Sequence, residues 1–373
     1  MAVYQLKLTN YLLPGESGTP VERLLYDSRI DDLSVYDAKA TIEVNAAGSI
    51  QFTVPKNHPF YDDIQIGRSW IDFVALFYQY EKHVIGGSVS YIDTDLFGNK
   101  IVNVYGSPIV LHDTYLPAVE WSGGSALDLI PIINTALSNQ SVYKFRMLAP
   151  NTIVQPINMI YGSAWDLLTK IRDTFTANGI NWNFYCKYQY DADLQKYFYN
   201  GYLTNTIRDD QAITYSIKAG TNLVEYHEEV NEADIYSGIQ ALGAETGGEF
   251  HGEPIRISTS GETSIVGITW DSTLVTKYGK KVVTRIYENL TSSEELESRA
   301  TSELTALHSM KKRIKVRAID IDRIQNFLNG YQLLFLVYLY SSPTVIPEQF
   351  IIKKIEYDLN NPANDTVELT NYF

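Results

Sequence analysis

The groups in this chain that could do chemistry are scattered rather than gathered. Six histidines stand at positions 58, 83, 112, 227, 251 and 308. No His-Glu-x-x-His and no pair at metal-ligand spacing occurs among them, so the sequence offers no catalytic zinc site. His227-Glu228-Glu229 opens such a motif but lacks a second histidine four residues after the first. Asp93-Thr94-Asp95-Leu96-Phe97-Gly98 begins like a calcium loop, yet its fifth position is Phe97 and its twelfth is Val104, where the ion requires oxygen. It reads instead as a hairpin turn bent at Gly98-Asn99. Asp320 and Asp322 alternate with Ile319 and Ile321, as on the wet face of a strand.

Cys186 is the single cysteine, which excludes an internal disulfide framework and a multi-cysteine zinc site; in its strand-like surroundings it reads as a buried thiol. No Gly-x-Ser-x-Gly, Gly-x-Gly-x-x-Gly or phosphate-binding loop is present, which removes the recognisable hydrolase, dinucleotide and nucleotidase signatures. A carboxylate pair for glycoside cleavage stays open, because its separation is spatial rather than sequential. These searches single out no catalytic residue, no metal ligand and no cofactor.

The elements that would position any such groups are mostly strands. From Arg23 to Tyr105 short apolar-alternating runs, among them Ala40–Val44, Ser49–Val54, Trp70–Tyr78, Val84–Ile92 and Lys100–Tyr105, are separated by Asn, Gly and Pro breakers. That spacing suits a small barrel or sandwich. Two helices follow. Ser125 is the candidate N-cap of the first, with Asp128 three residues on and Leu127, Ile130, Ile133 and Leu137 along one face; Pro131 falls in its second turn. Ser163 caps the second, with Asp166 at the third position, a stripe of Leu167, Ile171 and Phe175, and Asn178-Gly179 as its end.

Tyr- and Phe-rich strand text occupies 180–188 and 195–203. Glu245–Glu262 is Gly-rich and polar and is expected to be a mobile loop or hairpin. A third helix is expected over Thr291–Met310, with a Ser292/Glu295 capping box, a buried stripe of Leu296, Ala300, Leu304 and Leu307, and Lys311, Lys312 and Arg313 at its negative end. Strands then return from Ile314 to Phe373. This last region echoes the first. Ile64–Gly67 and the strand ending at Tyr78 match Phe327–Gly330 and the strand ending at Tyr340, and the spacings to the next matched Tyr are 91 − 67 = 24 and 357 − 330 = 27.

The 373 residues allow two or three domains, and 45% apolar with 20% charged residues is a globular composition. A net charge of −14 argues against a protein that holds duplex DNA through Lys and Arg, while leaving room for a wall past which DNA slides. Of the aromatics, 28 are Tyr, which suits half-wet contact surfaces. The N-terminus carries no secretory signal pattern, and the longest strongly apolar run, Leu333–Tyr340, spans 8 residues where a membrane helix needs roughly 20.

Ala46–Tyr61, a Gly-led strand ending in Pro55 and a His58-Pro59 turn, followed by Ile66-Gly67, resembles the N-terminal signature of siphophage tail-associated hub proteins. Ile213–Val224, followed by Ile235–Gly243, resembles a second stretch of the same family. The resemblance implies a β-rich α+β fold similar to the contractile-phage baseplate hub, with two related β-barrel domains and mixed α/β insertion domains. The expected division is 1–115 for the first barrel, 116–210 for the mixed α/β domain, 211–245 with 312–373 for the second barrel, and 246–311 for a loop, hairpin and helix insertion packing with the α/β domain.

It further implies the short, lactococcal-type version, which has no catalytic extension and is not an enzyme. Such a protein is a homotrimer in the virion tail tip that sits under a hexameric distal tail protein, closes the tail channel and opens for DNA ejection. Receptor-binding proteins and the tape measure protein are its further partners, DNA passes without stable binding, no membrane insertion is expected, and synthesis is in the host bacterial cytoplasm. A carbohydrate-binding tail module, using the Tyr surplus as stacking platforms, and a cell-wall hydrolase are the alternatives.

Overall fold

The computed structural model describes residues 3–11, 20–77, 80–138, 145–148, 153–154, 157–159, 161–176, 182–191, 196–205, 215–230, 236–245, 254–256, 268–287, 292–307, 312–318, 333–342 and 347–371. Seven strands come from the first third: β1 (Val3–Asn10), β2 (Glu22–Asp27), β3 (Tyr36–Glu43), β4 (Ser49–Val54), β5 (Ser69–Phe77), β6 (Tyr80–Thr94) and β7 (Lys100–Tyr105). Their residues alternate as a half-buried sheet requires. In β4, Ile50, Phe52 and Val54 are fully buried while Gln51 faces water.

These strands belong to a 13-stranded sheet that runs Leu223–Val230, Lys312–Ala318, Thr366–Thr370, Glu348–Asp358, then β3, β4, β7, β6, β5, β1 and β2, with Tyr215–Lys218 and Leu336–Tyr340 branching from it. The chain therefore returns at its end to join its beginning: Lys354–Asp358 pairs antiparallel with Lys39–Glu43. Two cores lie along this sheet. One gathers Tyr4, Leu6, Leu8, Ile50, Phe52 and Phe73 from the first strands and is completed by Leu359. The other gathers Ile314, Val316, Val337, Ile352, Ile355 and Leu369. Hydrogen bonds tie the chain's C-terminal segment to the first of them. Tyr4 donates to Asp365, Tyr26 Oη to the Leu359 carbonyl at 2.8 Å, and Asn360 Nδ2 to the Val35 carbonyl at 2.8 Å.

The middle of the chain is a duplicated α/β unit. Gly124-Ser125-Ala126-Leu127-Asp128-Leu129 recurs as Gly162-Ser163-Ala164-Trp165-Asp166-Leu167, a shift of 162 − 124 = 38 residues. Strand pairing repeats with the same shift: Leu116 faces Gly162 and Val154 faces Gly124, while Val119–Trp121 pairs with Ile157–Met159 about the Glu120/Asn158 centre. The copies thus exchange strands about a local twofold axis. Each copy ends in a helix, Ala126–Ser138 and Ala164–Thr176. A small sheet of Phe145–Met147, Lys196–Thr204 and Asn183–Asp191 completes a third core with them.

A fourth, smaller core forms where Leu296, Ala300 and Leu304 of the Ser293–Leu307 helix pack on Ile239 and Ala241. Leu296, Ala300 and Leu304 are three of the four residues of the expected stripe; Thr291, the side chain of Leu307 and residues 308–310 lie outside what the structure describes. Lys312 and Arg313 do not close the helix; they begin the next strand, whose outward residues pair with acids, as in Lys315–Glu356 at 2.6 Å and Arg317–Glu225 at 3.4 Å. Most of the Glu245–Glu262 stretch lies outside the described residues, as do Gly330, Asp320 and Asp322; within it Pro254–Arg256 is a strand pairing with Gly238–Glu245. No helix among the described residues is long and apolar enough to cross a membrane.

Candidate assembly interface

Among the described residues, the structure does not bring the titratable groups singled out in the sequence together. His58 is buried, its Nε2 2.9 Å from the Leu25 carbonyl and its Nδ1 accepting from the Phe60 amide at 3.1 Å; burial lowers its pKa. His83 stacks on Tyr188 at 4.2 Å and His112 on Trp165 at 4.5 Å. His227 is exposed on the Leu223–Val230 strand, and His251 and His308 lie outside the described residues. Among the described residues no group of three or more His, Cys, Asp or Glu side chains could hold a metal ion. Cys186 packs partly buried against the α/β core, and burial pushes its thiol up to about 12, far from the reactive thiolate.

Among the described residues four carboxyls have their titration moved by their surroundings, and all four move down. Arg29 hydrogen bonds hold Asp27 at about 2. Burial would raise Glu356, but Lys315, Lys354 and Thr366 outweigh it and hold it at about 2. Asp95 and Asp166 are lowered by backbone amides of their own turns. None of these four is kept protonated as a general acid must be. Asp72, 2% exposed, is a strut: it accepts from Trp70 Nε1 and Tyr199 Oη, each at 2.8 Å, and so fastens β5 to the α/β sheet. Gly86 is required opposite it, since a Cβ there would stand 2.0 Å from Asp72 Oδ1.

What the structure does present is exposed apolar and aromatic surface. Asp93–Gly98 is a hairpin tip and not an ion loop. Asp95 Oδ1 accepts from the Phe97 and Asn99 amides at 2.8 and 2.9 Å, Asn99 Nδ2 donates to Asp95 Oδ2 at 2.9 Å, Tyr61 Oη donates to the Gly98 carbonyl at 2.6 Å, and Gly98 takes φ +83°. On this stiff turn Leu96 and Phe97 stand 101% and 84% exposed. Reading the stretch for ion ligands misses that pair; two large apolar residues at the apex of an Asp-x-x-Gly turn were the available signal. Tyr36, Tyr91, Tyr105, Tyr115, Tyr161 and Tyr226 are also exposed, so part of the Tyr surplus faces outward.

Among the described residues backbone edges are open as well, these two included. The Leu223–Val230 strand is exposed from Val224 to Glu229 and, among the described residues, has a strand only on its Lys312–Ala318 side. β6 outruns β5: its pairing with β5 ends at Ser88, while Val89–Thr94 pairs with β7 alone. Aromatic residues and unpaired strand edges are common material of protein–protein contacts.

No protein-family model matches the chain, and no curated protein matches it. Solved structures do. The 43 kDa tail protein of prophage MuSo2 from Shewanella oneidensis is similar at 12% identity over 98% of this chain and 97% of that one, with a TM-score of 0.57. A tail protein from Neisseria meningitidis MC58 is similar at 12% identity over 98% and 95%, with a TM-score of 0.58. Prophage tail protein gp18 from Listeria monocytogenes EGD-e gives 12% identity over 98% and 94%, and 0.53. The chain is thus built, over nearly its whole length, on the β-rich fold of phage tail proteins.

Proposed function

We propose that the chain is a structural protein of a phage virion: a trimeric hub at the distal end of a siphophage tail, joined to a ring of distal tail protein, closing the tail channel and opening for DNA ejection. The observation that carries this reading is the near end-to-end fold likeness to tail proteins, 98% of this chain against 97% of the MuSo2 protein. The resemblance of Ala46–Tyr61 and Ile213–Val224 to the tail-associated hub signature, of the kind found in phages of Gram-positive hosts, supplies the finer assignment. In this reading the two sheet cores belong to two related barrels, one within 1–115 and one drawn from 211–245 and 312–373, with 116–210 as the α/β domain and 246–311 as its packing insertion.

Physical chemistry supports the role. The lowered carboxyls and the buried thiol suit a scaffold rather than a reaction centre, and a net charge of −14 suits a passage to which DNA does not adhere. The exposed aromatics and open edges suit a subunit that is completed by neighbours. Mixing the purified chain with the distal tail protein of the same tail tests the reading: three copies on a ring of six should co-elute as one particle in gel filtration. A chain that leaves the ring unbound at micromolar concentration overturns the hub assignment.

A further inference from the structure

Among the described residues, the small sheet of Gly238–Glu245, Pro254–Arg256, Ile268–Trp270 and Val282–Ile286 is covered on one face only. Ile239, Ala241 and Val283 pack with the Ser293–Leu307 helix, and Arg285 Nε and Tyr287 Oη donate to its Glu303 at 2.7 and 2.6 Å. The alternate residues point the other way. Gly238 and Gln240 stand in register with Val282 and Thr284 on one side and with Trp270 and Ile268 on the other. On this second face Ile286 is 67% exposed, Val282 41% and Trp270 38%, and Thr284 is exposed between them. Gly238 makes room for the Trp270 ring, since a Cβ there would stand 2.7 Å from Trp270 Cε3. An apolar sheet face is stable when another layer covers it, so three large apolar side chains in the open here mark a layer the single chain does not supply.

A helix face of matching kind is open elsewhere in the chain. Ala126–Ser138 buries Leu129, Ile130, Ile133 and Leu137 and leaves Leu127, Asp128, Pro131, Ile132 and Thr135 exposed along one arc. Leu127 is 53% exposed and Ile132 37%. In the duplicate helix the place of Leu127 is taken by Trp165, which His112 and Phe184 cover. The charges of the two open faces are opposite. The helix and the strands leading into it, 113–138, carry Asp113, Glu120 and Asp128 and no Lys or Arg. The edge of the open sheet face, 277–284, carries Lys277, Lys280 and Lys281 and no acid. Lys280 Nζ stands 5.3 Å from the Trp270 ring centroid, which brings positive charge onto the face itself.

We propose that the Leu127–Thr135 face of the Ala126–Ser138 helix in one copy of this chain packs as the missing layer on the Trp270, Val282 and Ile286 face of the next copy. Both faces are exposed within a single chain, so the contact is made between copies. Chains of net charge −14 repel each other on average, and a contact between them favours the place where a basic patch meets an acidic one. Two different surfaces meet, so the contact is head-to-tail and generates a ring when the rotation closes. The proposal rests on the trimeric reading above. Leu127 and Ile132 then cover Val282 and Ile286, and Asp128 comes within reach of Lys280 or Lys281. The divergence of the two duplicated helices follows from the same contact: Trp165 is covered by its own chain, and Leu127 by a neighbour.

The test is self-association of the full chain with either face spoiled. Leu127→Asp and Ile286→Asp should each weaken it about tenfold or more in a light-scattering concentration series. Both variants should keep the urea midpoint of the unaltered chain, since both side chains are exposed and an acid suits the first turn of a helix. Zero-length carbodiimide coupling of mixed isotopically light and heavy chains should join Lys280 or Lys281 of one copy to Asp128 of another, read by mass spectrometry, and Ile286→Asp should abolish that product. A trimer that survives both substitutions undiminished, or that gives no such coupling, overturns this docking and leaves the trimeric reading standing. A chain that stays monomeric and uncoupled overturns both.

Discussion

The helices Ala126–Ser138 and Ala164–Thr176 are two copies of one element put to different uses. Their inward residues correspond position for position: Ala126 and Ala164, Leu129 and Leu167, Ile130 and Leu168, Ile133 and Ile171 are all buried. Their outward residues diverge. Where the second copy has Trp165, covered by His112 at 4.5 Å and Phe184 at 5.6 Å, the first has Leu127 at 53% exposure. Where the second has exposed Lys170, the first has Ile132. The first helix also carries Pro131 in its interior, and the second has Thr169 at that place. A duplicated core holds its inner stripe because both copies bury the same kind of surface. Each outer face follows what lies beyond it, which for Trp165 is the rest of the chain.

The comparison breaks first if matched core positions behave differently. Leu129→Ala and Leu167→Ala should each cost about 3 kcal/mol in urea unfolding, a cavity on either side of one local axis. Next in size, Trp165→Ala should cost about 2 kcal/mol through lost ring contacts, whereas Leu127→Ala should stay within about 0.5 kcal/mol in the isolated chain. Equal losses at these two positions would mean that the outer faces are not distinct.

The caps sharpen the contrast further. Ser163 and Asp166 form a reciprocal box, with the Ser163 amide and hydroxyl donating to Asp166 Oδ2 at 2.7 and 2.8 Å and the Asp166 amide donating back to Ser163 Oγ at 3.2 Å. Ser125 Oγ accepts only the Leu127 amide, at 3.2 Å. Ser163→Ala should therefore lower stability by about 1 kcal/mol and Ser125→Ala by less, measured by thermal unfolding.

The smallest expected effect is a pH dependence. Hydrogen bonds from Ser163 lower the Asp166 carboxyl, so its contribution is present above the ordinary carboxylate range and is lost as pH falls through the folded-state value. Asp166→Asn should flatten the acid side of the stability curve. An unchanged acid limb would remove the box from the account.

The sequence made local structure legible where one short-range rule decides it. Both serine caps, the stripe of Leu296, Ala300 and Leu304, the alternation through Ile50, Phe52 and Val54, and the turn at Gly98 depend on residues a few positions apart. Long-range pairing was not legible. That Tyr357 meets Ala40, or that Leu359 fills the first core, is settled by packing between ends of the chain that no local pattern connects. The echo between the first and last regions is of this kind: strand text has a period of two, so several registers look equally good until bulges and positive-φ residues fix one. The 38-residue repeat was readable in principle, since Gly-Ser-Ala-x-Asp-Leu stands twice in the text, but a reading by element type passes over it. The surface at Leu96-Phe97 was hidden because its flanking aspartates invite a search for ions, and they serve instead to hold the turn.

The central claim is that this chain works as a trimer, and the solution mass tests it most directly. Light scattering across a concentration series should approach three times 42.3 kDa. A mass of one chain, unchanged at every concentration and in the presence of the distal tail ring, would contradict the account.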